Sequence, residues 1–224
     1  MAEKIDWMVD QLSSEFEGQF DRDQIRQVLS DSATRLAASA TVPGYIPLLA
    51  HRFARERLKA VSRLRGNDAQ SVADVVFVSL SGGGRGQLAA ALTTVLSNHQ
   101  VSVHSAGTAV FAEIDPGVAS VLAELGVKPD DAFARPVTDE VVQGADVIVT
   151  MGHSVGAIQI PPTVRHEDWR IGDPIGAPID EIRRVRADIE YRVRALLDSL
   201  GVGVADEASA KDTEAQTPVS NAPE

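Results

Sequence analysis

Val75-Val76-Phe77-Val78-Ser79-Leu80-Ser81-Gly82-Gly83-Gly84-Arg85-Gly86-Gln87 decides how the rest of the chain is read. A β-branched apolar run ends at a serine, crosses three consecutive glycines and opens into Leu88-Ala89-Ala90-Ala91-Leu92, a good helix former. Strand, glycine loop and helix N-terminus together hold anions. Unpaired backbone N–H groups converge there, and the positive end of the helix dipole points the same way. Arg85 adds a permanently charged planar donor suited to two oxygens of a tetrahedral oxyanion.

The whole chain bounds what such a loop can serve. Its 224 residues hold one medium domain, or a small domain beside a medium one. A net charge of −11 argues against nucleic acid as the partner, because phosphate-backbone contacts need clustered Lys and Arg. No apolar run reaches the roughly 18 residues that cross a bilayer. The charged start Met1-Ala2-Glu3-Lys4-Ile5-Asp6 is unlike a secretory signal, so a cytoplasmic protein without membrane contact is expected. The chain contains no cysteine, which excludes disulfides, thiolate metal sites and any cysteine nucleophile or redox centre within it.

Upstream of the loop the pattern is helical. Ile5, Met8, Val9, Leu12 and Phe16 recur at helical spacing over 3–17. Asp21 and Gln24 form a capping-box pattern that starts a second helix, running to about Ser39. Pro43-Gly44 breaks the chain. A third helix, with Pro47 in its first turn, carries Ile46, Leu49, Phe53, Leu58, Val61 and Leu64. Residues 1–66 therefore read as a three-helix bundle. The third helix is basic (Arg52, Arg55, Arg57, Lys59, Arg63, Arg65), and these charges are expected on a solvated outer face. Residues 67–72 are a polar linker.

From 73 to 200 strands and helices alternate. Strands are expected at 73–78, 101–107 and 145–151, with a short edge strand at 164–169. Helices are expected at about 86–97, 116–125, 139–143 and 178–200. The alternation predicts an α/β domain, a small parallel four-stranded sheet with helices on both faces, and in such sheets ligands sit at the carboxyl ends of the strands. The glycine loop lies at such an end. Residues 201–224 have almost no large apolar residue and read as a disordered tail. No His and carboxylate spacing matches a metal site, and the glycines miss the dinucleotide fingerprint, so neither metal nor cofactor is expected.

In that order, the pieces resemble the low-molecular-weight protein tyrosine phosphatases and the arsenate reductases that share their fold. The family loop reads Cys, five residues, Arg, then Ser or Thr, which puts Arg85 on the Arg and Ser79 on the nucleophile. His104-Ser105-Ala106-Gly107-Thr108, Thr138-Asp139-Glu140, Asp146 to His153, Trp169 with Asp173-Pro174, and Ile182 to Leu197 resemble later family elements. Residues 1–66, with Tyr45-Ile46-Pro47-Leu48-Leu49, are similar to the extra helical domain of some actinobacterial arsenate reductases. The resemblance implies that Leu80, Ser81, Gly82, Gly83, Gly84 and Arg85 bind the oxyanion. It also implies that Asp173 stands at the general-acid position, with Ser105 and His104 in support. His104 is expected to hydrogen-bond the loop from the neighbouring strand, and His153 and His166 to be polar loop residues.

Three departures fall in the loop. Ser79 replaces the Cys, Gly82 replaces a bracing Asn, and Gly86 replaces the Ser or Thr that stabilises the thiolate. Together they point to natural loss rather than one engineered substitution. A thiol is readily ionised beside a helix terminus and an Arg, whereas a serine hydroxyl stays protonated unless a base takes its proton. The expected function is therefore binding of a phosphate- or arsenate-like oxyanion, or of a phosphorylated protein, without thiol-based turnover. Two alternatives remain open: a phosphatase using Ser79 or a water with Asp173 as acid, and an interaction module built on the bundle. The oligomeric state is left open, a homodimer included.

Overall fold

The computed structural model describes residues 2–38, 46–67, 72–109, 114–127, 135–152 and 158–204. The Pro43-Gly44 break, Tyr45, most of the linker, His153 and residues 205–224 lie outside the described residues. Three helices come first: α1 (Ala2–Glu15), α2 (Arg22–Ala37) and α3 (Ile46–Leu64). Asp21 caps α2 through a complete capping box with Gln24. Met8, Val9, Leu12, Ile25, Leu29, Phe53 and Leu58 close a core of their own among these helices.

The alternating half follows as β1 (Asp74–Ser79), α4 (Arg85–Leu96), β2 (Ser102–Gly107), α5 (Pro116–Glu124), α6 (Asp139–Gly144), β3 (Val147–Met151), β4 (Arg165–Trp169) and α7 (Ile179–Ser199). The four strands form one parallel sheet in the order β2-β1-β3-β4. All six residues of β1 are buried because it is a central strand covered on both faces.

Period-two alternation decides what covers each face. Val75, Phe77, Val147 and Val149 point to one side, against Leu88 and Leu92 of α4, Val121 and Leu122 of α5, and Ile182, Ile189 and Val193 of α7. Val202 and Val204 add partly buried side chains to that cluster. Val76, Val78 and Ile148 point to the other side, against Val141 and Val142 of α6 and Ala60 of α3. Helix α3 thus belongs to two cores. It closes the helical core with Phe53 and Leu58 and covers the sheet with Ala60, where α6 approaches so closely that a Cβ on Gly144 would lie 3.1 Å from the Ala60 carbonyl oxygen.

This placement corrects the reading of α3 as a helix with a solvated basic face. Arg57 is buried, donates to Asp31 Oδ2 (2.7 Å) and Ser32 Oγ (3.0 Å), and pairs with Glu140 of α6. Arg63 bridges Asp74 of β1 (3.3 Å) and Asp146 at the start of β3 (2.6 Å). Arg55 takes both oxygens of Glu15 at 2.7 Å. A buried arginine needs paired carboxylates, and the acids that meet α3 come from elements 11 to 83 residues away in sequence.

Candidate oxyanion site

At the end of β1 the chain meets the N-terminus of α4, and the glycines allow the sharp return between them. Gly82 has φ +65°, and a Cβ there would come within 3.1 Å of the Gly107 amide nitrogen. Gly107 is equally constrained, since its own Cβ would lie 2.9 Å from Gly82 N. The two backbones pack glycine on glycine. Thr108 N donates to Ser79 O (3.1 Å) and Ala109 N to Leu80 O (2.7 Å), so the end of β2 holds the first residues of the loop. Gln87, buried in the first turn of α4, donates its side-chain N–H to Gly82 O at 3.0 Å. The brace missing at Gly82 is thus supplied from a position the sequence reading had assigned only to the helix.

Ser79 Oγ is almost wholly buried and accepts from Gly82 N at 3.1 Å; Ser81 Oγ accepts weakly from Gly83 N at 3.4 Å. Helix α4 starts at Gly84 without a side-chain cap, whereas α2 and α5 are capped by Asp21 and Asp115. Among the described residues no acceptor meets the N–H groups of Gly84, Arg85 and Gly86, the donors a helix start leaves unpaired. Ser105 reaches the same place from β2. It is fully buried, and its hydroxyl has no hydrogen-bond partner among the described residues.

Arg85 leaves the first turn of α4 and crosses to the segment after β4. Its Nη1 donates to Ile171 O (2.7 Å), and Nη2 meets Asp173 Oδ2 at 3.3 Å. The guanidinium passes over Gly152, which has φ +96° and no room for a side chain: a Cβ would lie 2.9 Å from both Nη atoms. Asp173 is half exposed, and its Oδ1 accepts from Ile175 N at 3.3 Å. Pro174 and Ile175 lie across the glycine loop, each 3.2 Å from where a Cβ on Gly84 would be. Asp115, which the sequence reading passed over, holds this segment from behind. One of its oxygens caps α5 through Gly117 N and Val118 N, and the other accepts from Gly176 N at 3.0 Å.

The structure therefore brings together Ser79, the loop from Leu80 to Gly84, Arg85, Ser105 and Asp173. It does not bring His104. Adjacent strand residues face opposite ways, so with Ser105 turned to the loop His104 turns to the helical side. It is buried there, 3.4 Å from Asp74 and 3.5 Å from Glu56 of α3. His166 is a strand residue rather than a loop residue, 3.0 Å from Thr150 Oγ1 on the neighbouring strand. Trp169 lies in the core beside the Phe77 ring (5.6 Å between centroids) and not over the loop.

A loop of this form, at the carboxyl end of the first strand with an arginine opening the next helix, is an arrangement suited to an anion. Comparison with known proteins agrees over most of the chain. Residues 74–206 match the low molecular weight phosphotyrosine protein phosphatase model, and residues 5–62 match the N-terminal domain of protein-tyrosine-phosphatase-like proteins. The chain belongs to the low molecular weight phosphotyrosine protein phosphatase family. Among solved structures it is similar to the Corynebacterium glutamicum thioredoxin-dependent arsenate reductase Cg_ArsC1', at 31% identity and TM-score 0.77, covering 88% of this chain and 96% of that one. A Halobacterium salinarum relative, provisionally named an arsenate reductase, is 28% identical over 135 residues, or 58% of this chain and 94% of its own. The YwlE arginine phosphatase, in a cysteine-to-serine mutant with a phosphorylated active site serine, shares the fold at 24% identity and TM-score 0.50, covering 57% of this chain and 95% of its own.

Proposed function

We propose that this chain binds a tetrahedral oxyanion of the phosphate or arsenate type and does not turn it over by thiol chemistry. One observation carries the reading: Arg85 and the uncapped start of α4 face a cradle whose base is Ser79, in a chain without cysteine. Donors aimed at a charge they need not move to meet favour binding. Nucleophilic attack needs more, because a serine hydroxyl requires a base to remove its proton. Among the described residues the histidines give no such base to Ser79, since His104 is held by Asp74 and Glu56 and His166 by Thr150. Arsenate reduction by thiol exchange needs a cysteine that this chain does not contain.

Thermal unfolding with added phosphate or arsenate tests the reading. Ligand that binds the folded state raises stability as RT ln(1 + [L]/Kd), so about 100 Kd of anion adds about 2.7 kcal/mol. The wild type is expected to gain stability in this way and Arg85→Ala to lose most of the gain. No rise in the wild type, or an equal rise in Arg85→Ala, contradicts the reading.

A further inference from the structure

We propose that the site selects oxyanions that carry a proton, inorganic phosphate and arsenate, over unprotonated anions of equal charge such as sulfate and the dianion of a phosphomonoester. Asp173 makes the distinction. The proposal rests on the oxyanion reading of the loop and names its ligand class more narrowly.

The groups around the cradle divide by hydrogen-bond character. The N–H groups of Gly84, Arg85 and Gly86 only donate, as does the Arg85 guanidinium. The hydroxyls of Ser79 and Ser105 rotate to donate or accept. Among the described side chains at the mouth, the acceptor-only group is the Asp173 carboxylate, 3.3 Å from Arg85 Nη2; the one backbone carbonyl that meets the guanidinium, Ile171 O, accepts from Nη1 and carries no charge. Asp115 lies behind the segment, its oxygens turned to the N–H groups of Gly117, Val118 and Gly176 and away from Arg85. Several donors and one fixed acceptor complement a tetrahedral anion with bare oxygens and one hydroxyl.

Asp173 cannot easily turn aside. Arg85 holds one of its oxygens and Ile175 N the other, while Asp115 ties the same segment to the start of α5 and Pro174-Ile175 rest on Gly84. An anion that takes donors from Arg85 comes to lie beside the carboxylate that shares the guanidinium. If its outward oxygen bears a proton, it donates to Asp173. If that oxygen is bare, two lone pairs and two negative charges face each other, which rejects the ligand by repulsion rather than by shape.

The second ionisation of a phosphomonoester falls near about pH 6, so at about pH 8 the ester carries two charges and no proton. Sulfate also carries two charges and no proton, whereas inorganic phosphate with two charges keeps one. These ligands share charge and tetrahedral geometry and differ in the proton; sulfate also matches phosphate in size.

Calorimetric titration of the full chain at about pH 8 with inorganic phosphate, sulfate and phenyl phosphate tests the proposal, with wild type beside Asp173→Asn. Wild type is expected to bind phosphate about tenfold tighter than sulfate or the ester, the size of one hydrogen bond to a charged group gained by the first and replaced by like-charge repulsion in the others. In Asp173→Asn, whose amide can also donate, sulfate gains and the gap to phosphate closes to about threefold. Equal affinity for phosphate and sulfate in the wild type, or an unchanged gap in Asp173→Asn, overturns the proposal and leaves oxyanion binding standing. Binding of no anion by either protein overturns both.

Discussion

Ser105 Oγ stands 2.6 Å from the point where a Cβ on Gly86 would sit, and Ser79 Oγ stands 3.4 Å from the same point. The hydroxyl beneath the nucleophile position comes from β2, and it occupies the space that a serine or threonine after Arg85 would need. A side chain at 86 and the present placement of Ser105 exclude each other.

Restoring the family signature by Gly86→Ser is therefore expected to destabilise the fold by about 1–3 kcal/mol, the usual cost of overpacking. Adding Ser105→Ala removes the atom in the way and should recover most of that loss. Urea unfolding of the two single variants and the double variant measures the coupling. A neutral Gly86→Ser would show that the pocket yields freely.

Gly152 makes room for the Arg85 guanidinium, with φ +96° and 2.9 Å from its would-be Cβ to both Nη atoms. Gly152→Ala should strain the backbone by about 1–3 kcal/mol and push Arg85 from its seat. Phosphate affinity is expected to fall by about tenfold, the loss of about one charge-assisted hydrogen bond. Calorimetric titration of the variant checks this, and unchanged affinity would place Arg85 outside the site.

Arg57 joins α3 to both α2 and α6 through Asp31, Ser32 and Glu140. Removing one member of a buried charged cluster leaves the others uncompensated. Arg57→Met is expected to cost about 3 kcal/mol in denaturant unfolding. Lys59, also on α3, is exposed and has no such partners among the described residues, and it serves as the control: Lys59→Met should stay within about 0.5 kcal/mol.

His51 of α3 stacks on Trp7 (6.5 Å between ring centroids) and has a buried Nε2 without a hydrogen-bond partner among the described residues. Burial, with Arg55 adding to it, holds its pKa below the ordinary 6.5. In the window below 6.5 the unfolded chain therefore binds more protons at this site than the folded one. Stability from His51 is present above that pH and declines as pH falls through the window. His51→Gln should flatten this part of the pH profile in thermal unfolding; an identical slope in both proteins would show that other groups set it.

Much of this was legible because it is local. The run Val75–Val78 had to be a covered strand, Gly82–Gly84 had to turn, and Asp21 with Gln24 had to start a helix. Arg85 stands out in the sequence as the one charge of the glycine loop, Asp173 comes from the family pattern, and the structure shows them paired. What was not legible depends on contacts between distant segments. Arg57 and Arg63 read as surface charges because Glu140 and Asp146 are 83 residues from them in sequence and Asp74 lies across a change of element. The displacement of His104 was within reach, since a strand that turns Ser105 to the loop must turn His104 away. The brace from Gln87 and the tie from Asp115 to Gly176 had no signal beyond one amide and one helix cap.

A cradle that binds the oxyanion and lacks only the reacting atom should regain chemistry when that atom is restored. Hydrolysis of an aryl phosphate at about pH 6, where the ester carries a proton part of the time, tests it most directly in wild type beside Ser79→Cys. The account predicts no turnover by the wild type and turnover in Ser79→Cys, whose thiol the helix start and Arg85 would ionise. Hydrolysis by the wild type that disappears in Ser79→Ala would contradict it.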